Sequence, residues 1–264
     1  MNILRRLGAA AAVLLAAACA SAPAARPVEW RVASYNIHAG IGMDRAVDLE
    51  RIAAVLAPLG ADVIAVQEVD ERVPRSGGVD QAATLAARLG MHYAYGPAMD
   101  FQGGRYGVAL LSRHPITSRE VIRLPDGHEP RVALAITVER EGAPAVTFVG
   151  LHIDHVANDT LRFAQASALA AWLDAHASPW VLAGDFNDQP GSRTLDLFHD
   201  LALEARKPAA ARLTFPSAEP TREIDFIFAA PPGEWRVSEA RVIDERVASD
   251  HRPVFAVLVH APGR

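Results

Sequence analysis

Short apolar runs recur along the chain and stop at turn-forming residues. Runs of this length that are rich in β-branched and aromatic residues are typical of β-strands. We predict strands at residues 30–37, 62–67, 106–112, 132–138, 146–152, 180–184, 224–228, 236–243 and 254–259. Several of these runs follow one another with no helical segment between them.

Other segments repeat their apolar residues at a spacing of three and four, which is typical of helices that pack one face against a core. They predict helices at about residues 49–59, 82–89, 159–176 and 193–198. The excess of strands argues against a simple series of parallel βαβ units and favours mixed sheets covered by helices. No repeat or second change of composition interrupts residues 28–261, so we expect them to form one domain.

Polar residues stand at the ends of these apolar runs, on strand after strand. They are Asn36, Glu68, His152, Asp185, Asn187, Asp225, Asp250 and His251. One such ending, VLAGDFND at residues 181–188, is explained well enough by a turn, because Asp and Asn bond to the nearby backbone. The same ending on many runs is poorly explained in this way. We therefore expect the strand ends to converge on one functional site.

If they converge, these residues place four carboxylates, two amides and two imidazoles around one point. Neighbouring carboxylates in a low dielectric repel each other or take up protons. A bound cation would remove this cost. Oxygen-rich ligation without cysteine suits Mg²⁺ or Mn²⁺, while zinc, whose structural sites prefer sulfur and imidazole, stays a minor alternative.

Seven segments also carry a family resemblance, in their order along the chain. They are SYNIHAG, DVIAVQEVD, YGVALLSRHPI, GLHIDH, AGDFND, EIDFIF and SDHRPV. Together they resemble the endonuclease/exonuclease/phosphatase superfamily, which has the deoxyribonuclease-I-like fold. The resemblance implies an α/β (α+β) protein, a four-layer sandwich of two mixed β-sheets packed face to face and flanked by helices. It also implies a divalent metal site and hydrolysis of phosphate esters, most often phosphodiesters.

The resemblance further implies how the polar residues divide the work. Glu68 would be the firmest metal ligand, with Asn36 and Asp250 near the same ion. Asp185 would orient or deprotonate the attacking water, and Asn187 would hold water or phosphate beside it. These roles match the needs of phosphodiester hydrolysis, which are a positioned water and neutralisation of the transition-state charge.

Histidines would complete the site. His251, held by Asp225 through a ring nitrogen, would lie beside the scissile phosphate, and its role as a base or as a charged stabiliser stays open. His152 would contact a non-bridging oxygen or assist the leaving group. Arg131 is compatible with a phosphate contact and equally with a surface ion pair.

One pair of polar residues is expected to lie outside the site. Arg162 and Gln165 stand one turn apart on the helix predicted at residues 159–176. Such a pair is typical of a solvated helix face.

The first residues, MNILRRLGAAAAVLLAAACASAP, have a basic head at Arg5 and Arg6 and an apolar run at residues 7–18. This pattern predicts an export signal and tether over residues 1–22, because a permanent membrane span needs about 20 apolar residues. Cys19, the single cysteine, resembles a lipoprotein acylation site, and an ordinary signal-peptidase site is the alternative. We expect an exported protein that is periplasmic, anchored to a membrane through Cys19, or secreted.

The net charge of −5 provides no global basic field for nucleic acid, and Lys207 is the single lysine. The resemblance implies a Mg²⁺- or Mn²⁺-dependent phosphodiesterase, and export and acidity favour a small phosphodiester or a phospholipid headgroup as its substrate. We expect a monomer. Two alternatives stay open. One is a metal-dependent nuclease acting on DNA or RNA, and the other is a catalytically silent binding protein with the same fold.

Overall fold

A computed structural model describes residues 26–176 and 179–263. The predicted export signal and Cys19 lie outside these residues. The described strands are β1 Val28–Asn36, β2 Val63–Glu71, β3 His92–Phe101, β4 Gly104–Ser112, β5 Ile116–Arg123, β6 Val132–Val138, β7 Val146–His152, β8 Trp180–Asp185, β9 Leu203–Glu204, β10 Asp225–Ala230, β11 Trp235–Val242 and β12 Val254–His260. The described α-helices are α1 Leu49–Leu56, α2 Gln81–Leu89, α3 Thr160–Asp174 and α4 Arg193–Leu201.

Two six-stranded mixed sheets form the centre of the fold. The first has the order β11-β12-β1-β2-β4-β3, and the second has the order β5-β6-β7-β8-β10-β9. In each sheet one neighbouring pair is parallel, β1 with β2 and β7 with β8, and each pair has a helix in its crossover. The predicted α/β sandwich of two mixed sheets is confirmed.

Three layers of apolar side chains hold the sheets and helices together. The middle layer lies between the two sheets, where Trp30 of β1 contacts Phe148 of β7 with ring centroids 5.1 Å apart. The second layer lies between the first sheet and helices α1 and α2. The third lies between the second sheet and helices α3 and α4. Each large side chain buried here contributes about 1.5–3 kcal/mol, so the central strands form a rigid base for the loops at their ends.

Local signals set the helix boundaries. Asp48, Asp80 and Ser192 each accept a hydrogen bond from a backbone N–H of the first turn of α1, α2 and α4. Such N-caps satisfy backbone donors that the helix itself leaves free. Among the described residues, no helix is long and apolar enough to cross a membrane.

The strands β3 and β5 were not predicted, and both lie at sheet edges. β5 is largely exposed, and β3 is interrupted by Gly96 and Pro97 with an irregular register beside it. An edge strand has one neighbour and buries fewer side chains, so its hydrophobic pattern is weak. Their existence depends on the neighbouring strands β4 and β6.

Candidate active site

Strand direction brings the predicted site residues to one edge of the two sheets. Because β1 is parallel to β2 and β7 is parallel to β8, Asn36, His152 and Asp185 end their strands on the same side. β10 is antiparallel to β8, and β12 is antiparallel to β1. The starts of β10 and β12 therefore meet these ends, which places Asp225 opposite Asp185 and His251 close to both.

Glu68 reaches this edge through an irregularity within β2. The register between β2 and β4 shifts between Val66 and Val69, and Glu68 has a φ of 57°. A non-glycine residue in this conformation costs on the order of 1–3 kcal/mol, and such strain is concentrated at functional sites. The predicted end of the strand at residue 67 is wrong, because pairing resumes after the irregularity and continues to Glu71.

The amide of Asn36 joins the acids of the cluster. Its Nδ2 donates to Glu68 Oε1 at 3.0 Å and to Asp185 Oδ2 at 3.1 Å. Its Oδ1 accepts a hydrogen bond from the backbone N–H of His38 at 3.1 Å. A role for Asn36 as a metal ligand would use the remaining lone pair of Oδ1 and stays a prediction.

Asp185 is buried at the centre of the cluster. Its Oδ1 accepts the backbone N–H of Asn187 at 2.9 Å, while its Oδ2 lies 3.6 Å from His152 Nε2 and 3.5 Å from His251 Nε2. Burial, together with the charge of Asp225, raises the pKa of Asp185 to about 7, although His251 opposes the shift. A carboxylate with this pKa exchanges its proton near neutral pH.

Asn187 turns back over the end of β8. It has a φ of 49°, a conformation that asparagine tolerates better than most residues. Its Nδ2 donates to the backbone carbonyl of Ile153 at 3.0 Å. The amide therefore ties the end of β8 to the segment that follows β7 and His152.

His251 and Asp225 form a buried pair. The Nδ1 atom of His251 lies 3.0 Å from Asp225 Oδ2, and its Nε2 faces Asp185. Burial lowers the pKa of His251, but the charges of Asp225 and Asp185 outweigh it and raise this pKa to about 10. His251 is therefore an imidazolium at neutral pH, and it is the cation that faces the acids.

Asp250 stands beside His251 at the surface of the cluster. Its Oδ1 lies 3.3 Å from Ser249 Oγ, which also donates to the backbone carbonyl of Asn36 at 2.7 Å. The same Oδ1 lies 3.9 Å from His38 Nδ1. These contacts link the start of β12 to the end of β1. They place the carboxylate of Asp250 at the site.

The cluster forms the floor of a cavity of about 330 Å³. Six of the predicted residues line this cavity, namely Glu68, His152, Asp185, Asn187, Asp250 and His251. Asn36 and Asp225, each at most 1% exposed, lie behind the lining residues and hydrogen-bond to them. The structure thus brings together all eight residues that the strand-end pattern singled out.

Arginine and aromatic side chains form the walls of this cavity, and most of them were not predicted from the sequence. Arg75 lies over the ring of Phe101 at 4.6 Å, and Arg222 lies over Phe215 at 4.5 Å. Phe215 also packs on His251, with ring centroids 4.8 Å apart. Arg75 also donates through Nε and Nη2 to Asp70, which fixes its guanidinium beside the cavity.

The structure excludes the surface alternative for Arg131 and contradicts the expectation for Arg162 and Gln165. Arg131 is buried rather than on the surface, since only 5% of it is exposed, and it lines the cavity beside His152. Arg162 and Gln165 are buried too, because the helix α3 lies over the loop that follows β7. Arg162 donates to the carbonyl of Asp154, and Gln165 accepts the Asp154 backbone N–H at 2.8 Å. Both polar residues hold this loop in place.

The donor set fits a hard divalent cation. Within the described part of the chain, Asp185, Asp225 and His251 bring ligand atoms of their side chains within 4.8 Å of one another, and the two carboxylates are the donors because His251 is an imidazolium. Glu68 and Asp250 add carboxylates at the cavity lining, while His251, Arg75, Arg131 and Arg222 supply positive charge around them. Burial of Asp185, together with the charge of Asp225, raises the pKa of Asp185, and a cation bound beside these carboxylates would oppose that shift.

Comparison with known sequences identifies the family. The sequence model of the Endonuclease/Exonuclease/phosphatase family matches residues 33–251. The chain belongs to this family. Its members are generally metal-dependent hydrolases of phosphate esters.

Known proteins that are similar in sequence or in fold match most of the chain. The uncharacterized protein YbhP of Escherichia coli (strain K12) is 27% identical over 246 residues, which are 87% of this chain and 96% of YbhP. An endonuclease/exonuclease/phosphatase from Beutenbergia cavernae DSM 12333 has 26% identity and a TM-score of 0.70, covering 88% of this chain and 72% of that one. The mannosyl-6-phosphatase Bt3783 of Bacteroides thetaiotaomicron VPI-5482 has 20% identity and a TM-score of 0.71, covering 87% and 99%, and shows the same fold.

Proposed function

We propose that the protein is a phosphodiesterase that requires Mg²⁺ or Mn²⁺ and cleaves a small or lipid phosphodiester. The observation that carries the proposal is the position of Asp185 and His251, with pKa values of about 7 and about 10, on the floor of one cavity. A base that titrates near neutral pH and a permanent cation then face the same substrate atom. This is the pairing that attack of water on a phosphate diester requires.

Asp185 is the proposed base. Its Oδ1 is held by the Asn187 N–H, so Oδ2 is the oxygen directed toward the cavity residues. As the water oxygen bonds to phosphorus, one water proton passes to Asp185 Oδ2, the bond from phosphorus to the leaving oxygen breaks, and the leaving oxygen takes up a proton from solvent water. Asp185 then returns its proton to solvent. The products are a phosphate monoester and an alcohol.

His251 is the proposed stabiliser of the phosphoryl charge. Its Nδ1–H is committed to Asp225, and its Nε2–H faces Asp185 and the cavity. An imidazolium with a pKa of about 10 is a poor base at neutral pH, which favours the stabilising role over the basic one. Asp225 keeps the ring charged and oriented.

Glu68 and Asp250 would hold the divalent ion, with Asn36 beside them as the sequence predicts. The ion supplies positive charge to the phosphoryl and leaving oxygens when it is bound. The protein residues fix the oxygen donors around it: Asn36 Nδ2 orients Glu68, and Ser249 Oγ lies within hydrogen-bonding distance of Asp250.

The cavity supports a small substrate. A volume of about 330 Å³ is near the lower end of small-ligand sites, which span about 300–1,000 Å³. Lys207, the single lysine, is buried and paired with Glu223, so it adds nothing to a basic groove. The aromatic and arginine walls suit a phosphodiester whose alcohol group stacks or hydrogen-bonds at the rim.

A nuclease is the second candidate function. The stacked pairs Arg75 with Phe101 and Arg222 with Phe215 favour it, because single-stranded nucleic acid binds on aromatic platforms near basic groups. The net charge of −5 argues against a long nucleic-acid groove.

A hydrolysis panel tests these functions. The purified chain would be assayed with Mg²⁺ and with Mn²⁺ against bis-p-nitrophenyl phosphate, sphingomyelin, phosphoinositides, plasmid DNA and RNA. We expect hydrolysis of bis-p-nitrophenyl phosphate or a lipid that EDTA abolishes and that Asp185→Asn reduces by at least about 10²-fold. Cleavage of DNA or RNA alone would favour the nuclease function. Absence of hydrolysis of every substrate with either metal would contradict the proposal that the protein is an enzyme.

We also propose that residues 1–22 direct export and that Cys19 carries a lipid. The basic head, short apolar run and single cysteine support this proposal. Fractionation of cells that make the full chain tests it. Wild-type protein is expected with the membranes and Cys19→Ser in the soluble exported fraction, whereas cytoplasmic protein in both cases would contradict export.

A further inference from the structure

Arg131 joins two histidines at the edge of the cavity. It directly precedes β6, which is antiparallel to β7, so the start of β6 lies beside the end of β7 and His152. Its side chain is 4% exposed. Arg131 therefore meets His152 because of sheet pairing, although the two residues are 21 positions apart.

The guanidinium contacts the same atom in each imidazole ring. Arg131 Nη1 lies 2.9 Å from Nδ1 of His152, and Nη2 lies 3.4 Å from Nδ1 of His155. The Nη2 atom also lies 3.1 Å from Glu129 Oε2. A guanidinium has N–H donors and no acceptor, so each Nδ1 atom must accept.

The shorter of these contacts determines where the His152 ring carries its proton. A ring whose Nδ1 accepts carries its single proton on Nε2 and has no charge. An imidazolium at His152 would set two N–H groups against each other at 2.9 Å, beside a second cation. Burial and the charge of Arg131 accordingly lower the pKa of His152 well below its ordinary value.

We propose that Arg131 is a positioning residue that holds His152 as the neutral Nε2–H tautomer, so that His152 donates a hydrogen bond to a phosphoryl oxygen and transfers no proton. The role of His152 toward a phosphoryl oxygen rests on the proposed function. The Nε2 atom of His152 lies at the cavity floor, 3.6 Å from Asp185 Oδ2.

Proton transfer by His152 is excluded in this arrangement for two reasons. Its Nδ1 lone pair is occupied by Arg131, so the ring has no free acceptor. Loss of the Nε2 proton would leave an imidazolate anion, which is far too basic to form in a neutral reaction. Of the two roles that the sequence left open, the contact with a non-bridging oxygen is the one that fits.

A gain in folding stability does not explain why Arg131 is buried at this position. Its Nε atom is buried and has no hydrogen-bond partner among the described residues. A buried donor without a partner costs about 1–3 kcal/mol. The guanidinium is kept at this cost in a place where its other N–H groups face two imidazole rings and one carboxylate.

The test reads the tautomers directly. Long-range ¹H–¹⁵N NMR correlations on the ¹⁵N-histidine-labelled full chain at pH 7 distinguish Nδ1–H, Nε2–H and imidazolium forms, and His152→Gln and His155→Gln assign the signals. We expect the Nε2–H form at His152 in the wild type. A wild-type His152 that is an imidazolium or an Nδ1–H tautomer would overturn the proposal.

Variants separate positioning from simple structural support. In Arg131→Met we expect His152 to populate a second tautomer or the charged form, and in Arg131→Lys we expect the Nε2–H form to return. Arg162→Met is the matched control. Arg162 is also buried, and it donates to the backbone carbonyls of Asp154 and Val156 in the loop that follows His152, but it does not bond to the ring of His152 or His155. A His152 tautomer that stays unchanged in folded Arg131→Met would overturn the proposal, and the wild-type spectrum decides if that variant does not fold.

Activity adds an independent reading. We expect Arg131→Met to lower kcat against bis-p-nitrophenyl phosphate by about 10–100-fold, as for other residues that orient a reacting group, with most of the loss regained in Arg131→Lys. Absence of hydrolysis in the wild type would refute the proposed function, while the NMR result would still decide the role of Arg131.

Discussion

His251 and Asp225 lie side by side in the interior, with His251 Nδ1 3.0 Å from Asp225 Oδ2 and 3.2 Å from Oδ1. The residues are 26 positions apart and meet because β10 and β12 both begin at the edge where β1 and β8 end. The carboxylate keeps the ring charged, and this charge determines how the proposed reaction depends on pH.

Asp225→Asn is expected to move the alkaline limit of activity. The pKa of His251 is raised to about 10, so the imidazolium is retained below that pH and lost above it. Removal of the Asp225 carboxylate charge lowers the pKa of His251. His251 then loses its charge at a lower pH, and activity falls there. We expect a loss of about 10²-fold at pH 8 and a smaller loss at pH 6.

Profiles of kcat/KM against pH at saturating Mg²⁺ measure this effect. Asp44→Asn is the control, since Asp44 pairs with Arg51 at the surface. An equal loss at pH 6 and pH 8 in Asp225→Asn would show that Asp225 does not act through the charge of His251.

Asp185 is expected to lower the stability of the folded protein above neutral pH. Its folded pKa is raised to about 7, so the folded state binds the proton more tightly than the unfolded state does. The associated stability is fully present below the unfolded pKa of about 3.9 and is lost as the pH rises through about 7. Asparagine at position 185 does not ionise, so the variant Asp185→Asn keeps its stability as the pH rises through about 7.

The free energy of unfolding in EDTA, measured with urea at pH 5 and pH 8, tests this expectation. We expect Asp185→Asn to be more stable than the wild type by on the order of 2 kcal/mol at pH 8, and by less at pH 5. The variant gains stability and loses activity, as is common for substitutions at active sites. If the wild type is the more stable protein at pH 8, the burial of the Asp185 carboxylate does not lower the stability of the folded protein above neutral pH.

Gly184 is expected to permit the close approach of β8 to β7. It pairs with Leu151, and a β-carbon at Gly184 would collide with the Leu151 carbonyl oxygen. Gly184→Ala must therefore push the strands apart directly before Asp185. We expect a loss of about 1–3 kcal/mol in the free energy of unfolding, together with reduced activity.

Urea denaturation and the hydrolysis assay measure both effects of the alanine. Gly233→Ala is the matched control, because no atom of the described residues, apart from its two chain neighbours, lies within 4 Å of its added β-carbon. If Gly184→Ala is as stable and as active as Gly233→Ala, the close pairing of β7 and β8 does not support the site.

The sequence could predict the central strands because they are buried on both faces. The strands β7, β8 and β10 consist of buried residues throughout and stand out as apolar runs. β3 and β5 could not be predicted in this way, because edge strands expose much of their length and depend on their neighbours.

The polar residues of the site were likewise visible where a carboxylate or imidazole interrupts an apolar run, as at Asp185 and Asp225. Arg131 and Arg162 were not, since their surroundings are formed by segments distant in sequence. The irregularity at Glu68 was also hidden, because nothing in the run DVIAVQEVD marks a positive φ. Burial of such residues follows from tertiary packing and not from local pattern.

Binding of Mn²⁺ measured in parallel with hydrolysis tests the central claim most directly. The wild type, the double variant Glu68→Gln/Asp250→Asn and the control Asp44→Asn would be titrated with Mn²⁺ while electron paramagnetic resonance reports free ion and bis-p-nitrophenyl phosphate reports activity. We predict that occupancy and hydrolysis rise together in the wild type and in the control, and that both are lost in the double variant. Hydrolysis that persists in EDTA, or unchanged Mn²⁺ binding by the double variant, would contradict a metal-dependent active site at these strand ends.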